Sequence, residues 1–298
     1  MINIINISNV RSFSIIEYMK IAICLYGYVG TYEKYGQTTV SPLLSHKFFE
    51  QNILNANREH TMDIFIHSWS HEYQSLLIDG YHPTASIFEP QVDFSTLFRG
   101  LKYKSQIIQR YIALFSKWYS VQKVLNLMID HHRNSPYDIV LLNRFDLCWK
   151  IPVNLNIFDS SKIYCGYLDS KIKGISKLDD AYVIGGVDSI IVIQNIYNNM
   201  CEILNDNIKR YQRQYRYFIQ SPHHSLYRIF ELHDLIKNIV YYFKPYEDYT
   251  TVRFLNSVSA SAQSIPVSPN NETEQQRGIR IKAEVRDRHA RLKKIGAK

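Results

Sequence analysis

Three near-continuous apolar runs constrain this chain more than any other feature: KIAICLY at 20–26, DIFIH at 63–67 and DIVLL at 138–142. A strand with one wet face alternates apolar and polar residues, whereas runs of this kind are buried on both faces. Helix-like stretches separate them. Pro42 opens one that runs to about Asn55, Ser105–Asp130 is the longest, and Val187–Leu204 and His223–Asp234 follow. On the long stretch Ile108, Ile112, Phe115, Tyr119 and Leu127 keep roughly one face. Ser86–Phe88, Lys162–Leu168 and Ala181–Ile184 read as further strands. Strands and helices in repeated alternation predict an α/β fold, a mainly parallel sheet sandwiched by helices.

The flanks differ from this body. Residues 1–18 read as an N-terminal extension without the basic start or the cleavage site of a signal peptide, and Met19 as the functional start. Residues 19–256 form the α/β body. Residues 257–276 are rich in Ser, Asn, Pro and Gln and predict a flexible linker. Residues 277–298 are a basic tail: from Asn271 to Lys298 nine Lys/Arg face four Asp/Glu, so +5 of the formal +8 lies there and +3 in the rest. Charge placed in this way excludes a nucleic-acid-binding body and suits peripheral contact with an anionic membrane. Ile281, Val285, Leu292 and Ile295 add a thin apolar stripe. No apolar run reaches the roughly 18 residues of a membrane span. Cys24, Cys148, Cys165 and Cys201 lie far apart with no CxxC pair, which suits reduced thiols in a cytoplasmic protein.

Open α/β sheets bind ligands at the carboxyl ends of their strands. The first strand ends in Gly27-Tyr-Val-Gly30-Thr31, where glycines admit a backbone close to a phosphate; the GxxG spacing is neither a dinucleotide fingerprint nor a P-loop. His67 and Trp69 leave the second strand. Asn143, Arg144 and Asp146 leave the DIVLL strand, and Arg144 and Asp146 share a parity that points both to one side. Such a pair either binds a diphosphate and a metal or forms an ion pair with itself. Asp179 and Asp180, ahead of a short strand and Gly185-Gly186, are adjacent acids able to serve as base or metal ligand. Ser116, Tyr119, Ser120 and Lys123 form one polar stripe on the long helix. Ser221-Pro222 caps a helix whose amino end suits an anion.

Taken in order, MKIAICLYGYVGTY, DIFIHSW, SKWYSVQKVLNLM, YDIVLLNRFDL and DDAYVIGGVDSI resemble a group of GT-A type sugar transferases of bacterial surface-polysaccharide loci and large viruses. The resemblance covers about residues 19–235. It implies a nucleotide-sugar donor, a glycan acceptor, and a Mn²⁺ or Mg²⁺ ion as the cofactor. It also implies a binding set of Gly27, Gly30, Thr31, Ser116, Tyr119, Ser120 and Lys123. Arg144 would balance the leaving diphosphate, Asp146 would hold the metal or a sugar hydroxyl, and Asp180 would be the base. Members often carry an arginine near the position of Gly30, and here Arg-Phe-Asp stands in place of Asp-x-Asp. The rival readings are a non-catalytic glycan-binding protein on a degenerate transferase fold and a Rossmann-like methyltransferase.

Overall fold

The computed structural model describes residues 18–32, 38–99, 105–167, 178–204 and 221–252. The chain divides into Met1–Asn256 and Ser257–Lys298, and the second unit, with the expected linker and basic tail, lies outside the described residues. So do residues 1–17 of the expected extension, Leu168, and the side chain of Thr31.

In chain order the elements are β1 (Lys20–Gly27), β2 (Gly30–Tyr32), β3 (Thr38–Val40), α1 (Pro42–Phe49), β4 (Thr61–Ser68), α2 (Gln74–Tyr81), β5 (Ala85–Phe88), α3 (Ser105–His132), β6 (Ile139–Arg144) and β7 (Leu147–Trp149). After them come β8 (Ile163–Tyr167), β9 (Leu178–Gly185), α4 (Val187–Ile191), α5 (Asn195–Asn198), α6 (Pro222–Leu232), β10 (Ile239–Tyr241) and β11 (Tyr249–Thr251). Seven strands make one sheet in the order β10-β8-β9-β6-β1-β4-β5. The pairs β1–β4, β1–β6, β4–β5 and β8–β10 are parallel. β9 runs antiparallel to both its neighbours, β6 and β8. The fold is therefore α/β with a mixed, mostly parallel sheet flanked by helices.

Alternation along β1 divides its side chains between two cores. Ala22, Cys24 and Tyr26 face the layer with α3, and Ile21, Ile23 and Leu25 face the layer with Phe49 of α1. This two-faced burial is why the run reads as continuously apolar. α3 buries Tyr111, Leu114, Phe115, Trp118, Val121, Leu125 and Met128 at helical spacing. Of the stripe expected from sequence only Phe115 belongs to that set; Ile112, Tyr119 and Leu127 sit on its flank, partly buried.

Three elements depart from expectation. The helix opened by Pro42 stays α-helical only to Phe49 and continues as a π turn (Glu50–Leu54) and a 3-10 turn (Asn55–Asn57). There Asn57 donates to the carbonyls of Ile53 and Val153 and accepts from the Leu155 amide at 2.6 Å, so tertiary bonds win over helical ones. The Val187–Leu204 helix is broken into α4, a 3-10 turn (Val192–Gln194) and α5. The short strand expected at Ala181–Ile184 is the buried eight-residue β9, which takes Asp179 and Asp180 into the sheet. Among the described residues no helix is long and apolar enough to cross a membrane.

Candidate functional site

β1, β4 and β6 all end on one edge of the sheet, where Tyr26 is level with Arg144 and Gly27 with Ser68. Because β9 is antiparallel, its first residues arrive at this same edge, with Tyr182 beside Asn143. A cavity of about 360 Å³ opens there. The first turn contributes Tyr26, Gly27 and Tyr28, the β4 exit Trp69, and α3 one face formed by Ala113, Ser116 and Lys117. Arg144, Asp146 and Asp180 enter from the strands, and Pro222 and His223 from the first turn of α6. That helix is capped as its sequence indicates: Ser221 Oγ accepts the His224 amide at 3.3 Å.

The charged groups of the cavity are already matched with one another. Arg144 donates to Asp146 Oδ2 at 2.6 Å; the Asp146 side chain is only 4 % exposed and that of Arg144 27 %. Burial works against the guanidinium charge, but the Asp146 carboxylate together with Tyr26 and Asp179 outweighs it and the Arg144 pKa is raised. Lys117 of α3 forms an ion pair with Asp180 and also donates to its carbonyl oxygen at 3.0 Å. Burial first, and Arg144 second, hold the Lys117 pKa well below that of a free lysine. The Lys117 ammonium lies 5.6 Å from the Tyr26 ring centre and 5.1 Å from that of Trp118.

His223 Nδ1 sits 2.8 Å from Asp180 Oδ1 and 3.1 Å from the Leu178 carbonyl. The Asp180 amide points at the same nitrogen from 3.3 Å, so Nδ1 has two oxygens and one N–H around it. Burial, then the nearby Lys117 charge, lowers the His223 pKa to about 4, so the ring is neutral near pH 7. Asp179 lies behind Asp180: its Oδ1 accepts the Ala181 amide at 3.0 Å and its Oδ2 the Tyr249 hydroxyl. Asp179, Asp180 and His223 each offer a ligand atom, all within 4.8 Å of one another, and could hold a metal ion. Two carboxylates and an imidazole are a donor set for a divalent cation.

Of the residues singled out by sequence, the structure gathers Gly27, Ser116, Arg144, Asp146 and Asp180 around the cavity. Asp146, expected to hold the metal, pairs with Arg144 and is not part of the three-residue cluster able to take an ion. The α3 stripe is rotated from the expected one. Ser120 is fully buried and bonds His67 Nδ1 at 2.7 Å, while Glu89 holds the Nε2 of the same ring at 3.0 Å. Burial lowers the His67 pKa against the pull of Glu89. Tyr119 stacks on Trp69 with ring centres 5.2 Å apart, and the Lys123 ammonium lies 5.0 Å from the Tyr119 ring centre. These three support the Trp69 wall and do not line the cavity themselves. Lys117, next to the predicted Ser116, was the missed cation; His223 was missed as a partner of Asp180.

The first turn owes its shape to both glycines, at φ +115° for Gly27 and +98° for Gly30. A Cβ on Gly27 would meet nothing, whereas one on Gly30 would run into the Tyr73 ring, including its Cζ at 3.1 Å. No arginine fits at Gly30 with Tyr73 in that place. Ser70 secures the turn by donating to the Val29 carbonyl at 2.6 Å and accepting its amide at 2.9 Å. No family model matches this chain, and no curated protein is significantly similar to it.

Proposed function

We propose that the protein is a nucleotide-sugar-dependent glycosyltransferase of GT-A-like architecture, acting in surface glycan synthesis. The observation that carries this reading is the convergence of Lys117, Arg144 and the amino end of α6 on one cavity at the strand ends. Transfer breaks the bond between the donor's anomeric carbon and its phosphate oxygen, whose electron pair leaves with the nucleotide, and joins that carbon to an acceptor hydroxyl oxygen, whose proton passes to the leaving phosphate or to water. The sugar passes through an oxocarbenium-like state. Groups that meet the departing negative charge therefore contribute most to the rate. In this proposal Arg144 and Lys117 meet it directly, the α6 amides add a partial positive charge, and Tyr28 and Trp69 take the uncharged part of the donor.

The acidic cluster beside the cavity supports a place for a cation. Among the described residues, three carboxylates, Asp146, Asp179 and Asp180, gather around Arg144 and Lys117, with His223 neutral. Mg²⁺ or Mn²⁺ on Asp179, Asp180 and His223 would supply positive charge to the leaving phosphates. Asp180 is better placed for that than for the role of base, since Lys117 and His223 already hold it.

A thermal-shift screen against UDP-, GDP-, CMP- and dTDP-sugars, with Mn²⁺ or with EDTA, tests the proposal. One donor should stabilise the protein with the ion only, by about 2.7 kcal/mol at a hundred times its Kd, and should release its nucleotide on adding an acceptor. Binding of no donor, or of S-adenosylmethionine in their place, would refute it. Glycan binding with no donor turnover would identify a non-catalytic binder.

A further inference from the structure

The three-residue strand β11 and the residue that follows it touch the acidic edge of the site at two points, although they do not line the cavity. The strand pairs antiparallel with β7, Tyr249 beside Trp149, and the Tyr249 ring packs 5.4 Å from Trp149 and 5.3 Å from Tyr182. From this position the Tyr249 hydroxyl donates to Asp179 Oδ2, and three residues later the Val252 amide donates to the Asp146 carbonyl at 2.8 Å. With the Ala181 amide on Oδ1, both Asp179 oxygens have a donor, and the residue is 8 % exposed. A carboxylate held at both oxygens fixes the backbone that carries the next side chain, Asp180.

Gly166 on the neighbouring β8 makes room for this bond. A Cβ there would collide with the Tyr249 hydroxyl and lie 2.9 Å from Asp179 Cβ. Burial, then the Asp179 charge, raises the Tyr249 pKa, so the phenol keeps its proton and acts as a donor.

We infer that β11 clamps the acidic edge and that Tyr249 is a positioning residue, acting through Asp179 to hold Asp180 against His223. Its effect on a bound cation rests on the function proposed above; its effect on His223 does not. Partners that orient a ligating carboxylate typically change metal affinity by roughly 10–100-fold when removed, and Tyr249 is such a partner by geometry.

The test uses the full chain as wild type, Tyr249→Phe, Gly166→Ala and Trp149→Phe. The first reading is the ¹⁵N and ¹H resonances of the His223 ring at neutral pH in EDTA, which report the contacts of Nδ1 with Asp180. The second is Mn²⁺ affinity by electron paramagnetic resonance. Tyr249→Phe keeps the ring packing and should move the His223 Nδ1 resonance and weaken Mn²⁺ binding roughly 10–100-fold. Gly166→Ala displaces the hydroxyl without removing it and should reproduce both changes, which also covers a failure of Tyr249→Phe to fold. Trp149→Phe disturbs the same aromatic cluster; it should lower the melting temperature and leave the His223 resonance in place. An unmoved His223 resonance in Tyr249→Phe overturns the clamp, as does an equal shift in Trp149→Phe. If the wild type has no Mn²⁺ affinity while Tyr249→Phe still moves His223, the clamp stands and the cation reading of the site falls.

Discussion

Replacing Arg144 with Met takes from the buried Asp146 carboxylate the guanidinium it pairs with. The Asp146 side chain is 4 % exposed, whereas that of Arg144 is 27 % exposed. Breaking a buried pair by removing one member costs about 3–5 kcal/mol, and the open cavity beside Asp146 places this case near 3. For a body of this size that is a fall in melting temperature of about 6–12 °C. Asp146→Asn should cost less, about 1 kcal/mol, because the guanidinium left behind can hydrate. The double variant Arg144→Met/Asp146→Asn removes both charges and should be about 2 kcal/mol more stable than Arg144→Met alone. Urea midpoints of the four proteins give this coupling as a double-mutant cycle. If Arg144→Met melts within about 2 °C of the wild type, or the second substitution restores nothing, Asp146 does not depend on Arg144 and the reasoning fails. Donor binding then separates structure from function: Asp146→Asn keeps the guanidinium and should keep most affinity, while both variants lacking Arg144 should lose it.

The lowered His223 pKa predicts a pH signature. The folded chain binds this proton more weakly than the unfolded one, so the neutral ring's contribution is complete above about pH 6.5 and is lost as pH falls toward about 4; the stability difference between wild type and His223→Gln should decline across that window, and a flat difference would exclude it. Gly30→Ala carries both a disfavoured φ and a clash with Tyr73, and Gly27→Ala the φ alone. The first should therefore cost more than the second, which is about 1–3 kcal/mol by strain, and equal urea midpoints would contradict this. Ser120→Ala strips His67 Nδ1 of its buried partner and should cost about 1–3 kcal/mol in melts without changing donor affinity. Truncation after Asn256 removes the basic residues of 277–298, each worth about 1 kcal/mol at an anionic leaflet; liposome binding should fall and lose its salt dependence, and unchanged binding would rule out tethering by the tail.

The strands were legible because burial on both faces leaves a mark on every residue of a run: β1 needs apolar side chains for the α3 layer and for the α1 layer alike. The boundaries of α1 were not, since Asn57 is chosen for bonds to Val153 and Leu155, which lie nearly a hundred positions away. The rotation of α3 was also hidden. A stripe through Ser116, Ser120 and Lys123 and one through Ala113, Ser116 and Lys117 share Ser116, and their centres differ by only about 50° of helix, roughly half a residue. What selects between them is the stacking of Tyr119 on Trp69 and the bond from Ser120 to His67, both of which need β4 in place.

The same distinction separates Arg144 from Asp180. Arg144 and Asp146 lie two positions apart where β6 leaves the sheet, so local parity sufficed to bring their side chains together, and they meet at 2.6 Å. Asp179 and Asp180 precede most of their strand, and in an all-parallel sheet the residues that open a strand lie at the edge opposite the ligands. They reach the cavity only because β9 is reversed against β6 and β8. The apolar run AYVIG carries no sign of that direction, because a strand buried on both faces has the same composition whichever way it runs. Lys117, 63 positions before Asp180, and Tyr249, 70 positions after Asp179, inherit the same invisibility. Each is an ordinary helix or strand residue until the reversal of one strand places a carboxylate within its reach.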